Sequence, residues 1–187
     1  MSPPPNKLAI FSWSLYDFAN TIFSMNVISL YFALWVTVDH KGQDILYSTA
    51  LSLSMLAVAV SVPVFGVLSD STGRRRLPLI GLTLICVVAT ALIGTTDHLW
   101  TGLILFMVAN YGYQSALVFY NGMLPSISRG SHVGLVSGYG VALGYLGSIA
   151  GLLMVKPYVK EGGLSAAFLP TAALVLVFAL PCFFFVK

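Results

Sequence analysis

Gly66-Val-Leu-Ser-Asp70-Ser-Thr-Gly73-Arg74-Arg75-Arg76 separates two apolar runs, each long enough to cross a bilayer. Three consecutive arginines cannot follow their neighbours into hydrocarbon, so this stretch is a polar loop between two membrane helices. A short loop rich in arginine also marks the cytoplasmic side. Gly73 supplies a turn that a side chain would hinder. Asp70 and Arg74 stand four apart, the spacing at which a helical carboxylate and guanidinium meet. The expectation is therefore a topogenic loop with an Asp70–Arg74 pair.

Outward from that loop, the composition points to lipid as the solvent. The 187 residues are 58% hydrophobic and only 8% charged, against about 25% charged in a soluble domain. The net charge of +3 is small and comes from loops, which excludes a nucleic-acid patch. Cys86 and Cys182 both lie inside apolar runs, outside any CxxC or Cys/His cluster, so neither a metal site nor a disulfide is expected. No cofactor is expected either. Met1-Ser-Pro-Pro-Pro-Asn-Lys7 lacks the three-part pattern of a secretory signal, and the first apolar run reads as a retained helix.

Six candidate spans follow, at about 9–36, 46–68, 77–96, 98–121, 133–156 and 165–186. The first is long, and its start around Trp13 and Tyr16 reads as interfacial. Lys41-Gly42, Gly73, Leu124-Pro125, Lys156-Pro157 and Gly162-Gly163 stand as breakers in the connections. With the N-terminus inside, Lys7, Arg74, Arg75, Arg76, Arg129 and Lys187 are cytoplasmic, and only Lys41, Lys156 and Lys160 are outside. That asymmetry places both termini in the cytoplasm. Trp35, Trp100 and Tyr158 fall near span ends, where amphipathic rings sit. Residues 1–187 read as one all-α bundle of six transmembrane helices.

Polar side chains in the spans fall into stripes. At about 100° per residue, Asp17, Asn20, Thr21 and Ser24 share one side of the first span, with Tyr31. In the fourth span Asn110, Gln114 and Asn121 fall within about 40°, flanked by Tyr113. Such stripes line a watery cavity or glue helices together, at roughly 0.6–2 kcal/mol per contact. Spans one and four are equivalent if the chain is two inverted three-helix repeats, a layout common in transporters. Asp17 reads in two ways: a protonatable or solute-facing group, or a carboxylate near the cytoplasmic end bonded to Trp13, Asn20 or water. The third and sixth spans hold no charge or carboxamide in their middles and read as outer helices.

Gly140, Gly144, Gly147 and Gly151 project within roughly 60° on the fifth span, a face for close helix packing. Pro63 in the second span, and Pro170 and Pro181 in the sixth, are candidate kinks. Gly66 would let the second helix approach a neighbour just before the charged loop.

The loop resembles the signature between helices two and three of the major facilitator superfamily. In that signature the acidic residue and the first arginine help hold the cytoplasmic gate, here Asp70 and Arg74, with Gly66, Gly73, Arg75 and Arg76 completing the pattern. Ser71 departs from it, because the position after the acid is usually basic. Trp13-Ser-Leu-Tyr16-Asp17-Phe-Ala-Asn20-Thr, Tyr120-Asn121-Gly-Met-Leu-Pro125 and Val136-Ser-Gly-Tyr-Gly-Val-Ala-Leu-Gly-Tyr-Leu-Gly147 are similar to the vacuole-effluxer-like branch. The resemblance implies twelve helices in two six-helix halves, with helices one and four of each half lining the cavity. The chain then corresponds to one half, either a truncated product or a natural half that pairs with itself or with a second polypeptide.

The expected function is membrane transport of a small polar solute by alternating access, as half of a secondary transporter. Asp17, Asn20, Thr21, Ser24, Asn110, Tyr113, Gln114 and Asn121 would line the path. The branch resemblance adds amino-acid efflux. The expected partners are the lipid bilayer, the solute and a second six-helix half; the expected location is the plasma membrane. The rival is a non-transporting membrane interaction module that assembles with or regulates another half. An intramembrane enzyme would need paired carboxylates or a His/Asp set at depth, and the sequence offers none.

Overall fold

The computed structural model describes residues 7–128 and 132–186. Arg129 and Lys187, counted above for orientation, lie outside the described residues. The described residues form six long apolar helices: α1 (Lys7–Asp39), α2 (Asp44–Thr72), α3 (Arg76–Ile93), α4 (Leu99–Ile127), α5 (Val133–Gly162) and α6 (Leu164–Phe185). No strand occurs among the described residues.

Most helices outrun the apolar runs that announce them. Pro125 and Pro157 sit inside α4 and α5 instead of ending them. Each proline removes one backbone hydrogen bond, which is tolerable near a helix end, where water reaches the freed carbonyl. Pro63 likewise lies within a continuous α2. Gly73 does stop α2: its φ is 63°, and its N–H donates to Ser69 O at 3.1 Å. Only glycine enters that left-handed region freely.

The packing repeats itself. α1 packs on α5 and α6, α4 packs on α2 and α3, and α3 meets α6. Exchanging helices one, two and three for four, five and six turns this set of contacts into itself. Two inverted three-helix repeats give that symmetry. The order of contact, α5–α1–α6–α3–α4–α2, is an open arc. α3 and α6 form its back, α1 and α4 come next, and α2 and α5 are the free ends.

The ends of the arc, not its back, are the most exposed. In α2 only Ala50, Ser54, Val58 and Ser69 are buried, whereas α3 and α6 bury a face each. Val60, Val64 and Val67 of α2 and Tyr145, Ile149 and Leu153 of α5 stand exposed. So much apolar surface is tenable only against lipid or another protein.

α1 is not a uniform helix. Over Ser24–Tyr31 and Trp35–Asp39 it widens to i→i+5 hydrogen bonding, as when Phe32 N–H donates to Val27 O. Within the first widened stretch Ile28 O accepts a hydrogen bond from the Tyr47 hydroxyl of α2 at 2.7 Å. Mid-helix π segments of this kind concentrate at functional sites.

Candidate functional site

An aromatic ladder joins α1 to α4. Trp13 stacks on Tyr120 with centroids 4.5 Å apart, and Tyr16 on the same ring at 4.9 Å. Farther along, Phe23 meets Tyr113 at 4.9 Å and Phe32 meets Phe106 at 4.2 Å. The α4 rungs, Phe106, Tyr113 and Tyr120, are seven apart and so share one helix face. Large rings hold the two backbones apart, and the polar stripes lie beside them.

Asp17, Thr21 and Ser24 are half-buried along α1. The Thr21 hydroxyl donates to Gly144 O of α5 at 2.6 Å. The Asp17 carboxylate has neither a hydrogen bond nor an ion pair among the described residues. Asn20 is 6% exposed, and its Nδ2 lacks a partner. On α4, Tyr113 and Gln114 are half-buried and Asn121 is exposed.

Asn110 departs from its stripe. It is fully buried, and its Nδ2 donates to Ser54 Oγ of α2 at 2.7 Å. Asn110 stands only about 40° around the helix from Gln114, yet Ser54 of α2 supplies an acceptor on its side. Asn110 Nδ2 thus ties α4 to α2, as Tyr111 does through its 3.0 Å bond to Ser61, while Asn110 Oδ1 lacks a hydrogen-bond partner among the described residues.

The four glycines of α5 face α1. A β-carbon on Gly140 would sit 2.8 Å from the Trp13 ring, one on Gly144 3.1 Å from Asp17 Oδ2, and one on Gly151 3.1 Å from Ile22. At Gly147 it would collide with Phe18 O and lie 2.9 Å from Phe18 Cα. Gly66 is different, since a β-carbon there would meet nothing within 4 Å among the described residues. Among the described residues no neighbouring helix makes use of the space it leaves.

At the arginine end, Asp70 pairs with Arg75 at 3.4 Å instead of with Arg74. The reason is Gly73: α2 ends before the i+4 position, and the chain turns back. Arg75 then lies against Ser69 Oγ (3.0 Å) and over Gly122 of α4, where a β-carbon would sit 3.1 Å from its Nε. The Asp70 side chain is 82% exposed, so the pair is worth at most about 1 kcal/mol.

At the opposite end stands Trp35. It is fully buried, and Trp13 and Tyr16 at the start of α1 are buried too. Its Nε1 donates to Ser165 Oγ at 3.0 Å, and its ring presses on Gly102. The His40 ring lies tilted against it, with centroids 4.0 Å apart, and reaches Asp97 O through Nε2 at 3.0 Å. No group of His, Cys, Asp and Glu able to hold a metal occurs among the described residues.

Comparison with known proteins decides the family. The Major Facilitator Superfamily model matches residues 17–187. The chain belongs to that superfamily. Among its relatives, an uncharacterized protein of Aquifex aeolicus is 31% identical over 163 residues, covering 84% of this chain and 41% of that protein. The uncharacterized MFS-type transporter YxiO of Bacillus subtilis is 28% identical over 190 residues, covering 91% and 44%. The multidrug resistance protein MdtG of Proteus mirabilis is 28% identical over 152 residues, covering 80% and 37%. The chain therefore spans less than half the length of these relatives. No solved structure matches it significantly. As a major facilitator chain it is an integral membrane protein, and its six helices have the architecture of one half of that fold.

Proposed function

We propose that this chain is one half of a secondary transporter that moves a small polar solute across the plasma membrane by alternating access. The observation that carries the reading is the pairing of polar stripes on symmetry-related helices. Asp17, Thr21 and Ser24 on α1 and Gln114 and the ladder residue Tyr113 on α4 stay half-buried, and Asn20 is buried. In a bilayer, polar side chains left part-exposed at depth need water or a solute. The family and the printed names of YxiO and MdtG support transport as the activity.

The free ends of the arc support a second six-helix half as partner. The exposed faces of α2 and α5 flank the mouth in front of α1 and α4, and a second half seated there would close a cavity. Gly66 lies on the uncovered side of α2, beside the arginine loop. Asp70, Gly73 and Arg74 to Arg76 would then form the cytoplasmic gate, with Arg75 as the residue that ties the loop to α4. Both termini lie in the cytoplasm, on the charge asymmetry of the connections. Amino-acid efflux is the finer reading and rests on the three motifs quoted above.

The test is solute flux in vesicles that contain the chain with and without a complementary half. Flux is expected only with both. Asp17→Asn and Gln114→Ala should each change rate or affinity; if neither alters a working assembly, the pathway is misplaced.

A further inference from the structure

Asp17 has an unbalanced charge. Among the described residues, every Lys and Arg lies in a connection or near a helix end: Lys7, Lys41, Arg74 to Arg76, Lys156 and Lys160. Asp39, Asp44, Asp70, Asp97 and Glu161 lie at ends as well. Asp17 is the one carboxylate well within a span, it is only half-buried, and it has no counter-ion among the described residues. A carboxylate so placed is costly unless something positive neutralises it.

Its surroundings hold two further unpaired polar atoms. The Tyr120 hydroxyl belongs to a residue 2% exposed and has no hydrogen-bond partner. It lies 3.5 Å from where a β-carbon on Gly140 would stand, and Asp17 Oδ2 lies 3.1 Å from the same point on Gly144, one turn away. Asn20, three residues beyond Asp17 on α1, leaves its Nδ2 unpartnered. Buried polar atoms are seldom left unpaired, and an unpaired group calls for a ligand to complete it.

We infer that Asp17, Tyr120 and Asn20 form the seat for an organic ammonium group of the transported solute. The inference rests on the transport reading above and narrows it to a solute class. Asp17 neutralises the charged nitrogen, the Tyr120 hydroxyl accepts one of its N–H groups, and the Asn20 amide donates to a neighbouring oxygen of the solute. The glycine face of α5 forms the wall behind them. Among the described residues no Lys or Arg lies at depth, so a negatively charged solute would meet the Asp17 carboxylate without a compensating cation.

The probe is radiolabelled ethanolammonium, measured for binding to the assembled protein in nanodiscs. Size-matched ethylene glycol and glycolate are the neutral and anionic competitors. Saturable binding is expected, with neither competitor displacing it. Asp17→Asn should weaken it at least 30-fold and Asn20→Ala and Tyr120→Phe about tenfold each, the scale of lost charge-assisted hydrogen bonds. Asp17→Glu should keep most of it. Thermal melts of each variant separate loss of the site from loss of the fold. Absence of binding, displacement by glycolate, or indifference to Asp17→Asn in a folded protein overturns the inference. A Ser24→Cys variant reports on the parent reading. If its thiol reacts from water while ethanolammonium fails to bind, only the solute class is wrong. If the thiol is also silent, the cleft itself is wrong.

Discussion

Gly147→Ala should break the α1–α5 contact, and its size can be worked from the geometry. The new methyl would overlap Phe18 O and stand 2.6 Å from Thr21 Oγ and 2.9 Å from Phe18 Cα. Two of these atoms are backbone, so no side chain can swing clear and the helices must part. Overpacking of that kind costs about 1–3 kcal/mol. Parting also strains the Thr21–Gly144 hydrogen bond, worth about 0.6 kcal/mol in a membrane. Alanine returns up to about 1 kcal/mol of helix propensity. The net loss is about 1–3 kcal/mol, roughly a 5- to 150-fold shift in the unfolding equilibrium. Gly138→Ala is the matched control on the same helix, because its methyl would meet nothing within 4 Å; it should be neutral or slightly stabilising. Reversible unfolding of the bilayer-embedded protein by steric trapping reads both. Equal stability for the two variants would refute the packing assignment.

Asn110→Ala should cost about 0.6–2 kcal/mol of stability without changing solute affinity, because its amide serves Ser54 and not the cleft. A double-mutant cycle with Ser54→Ala should show coupling between the two, and additive losses would contradict the bond. Arg75→Ala should speed hydrogen exchange at residues 73–76, since it removes the contacts to Ser69 and Asp70. Arg74→Ala should leave that exchange nearly unchanged, and the reverse order would restore the i+4 pairing.

The helices and their symmetry were legible in the sequence because membrane spans announce themselves by hydropathy and short polar breaks. The glycine face of α5 was legible for the same kind of reason, as four residues on one side of a helix admit few other uses. Orientation of individual side chains was less so. Asn110 shares its stripe with Gln114 and Asn121, and only the position of Ser54 on α2 shows that it turns to that helix. Arg74 has the right spacing from Asp70, yet the left-handed turn at Gly73 hands the contact to Arg75.

Trp13, Tyr16 and Trp35 show the limit of reading aromatics at span ends. An indole or phenol there suits the lipid interface or a neighbour helix equally well, and here each is buried. The signal that was available is the seven-residue spacing of Phe106, Tyr113 and Tyr120 on α4, which aligns three rings on one face. Gly102 and Gly122 carried no such pattern, since their use depends on the Trp35 and Arg75 side chains that fill the space above them.

The central claim is that the stripes of α1 and α4 face a common water-filled cleft. Cysteines placed one at a time at Thr21, Ser24 and Gln114, tested with a charged, membrane-impermeant thiol reagent, check it most directly. Val88 and Ile104, exposed apolar positions on α3 and α4, serve as controls, and the native Cys86 and Cys182 are buried. In the assembled protein the three stripe positions should react and the two controls should not. Silence at all three, or reaction at the controls to the same extent, would contradict the account.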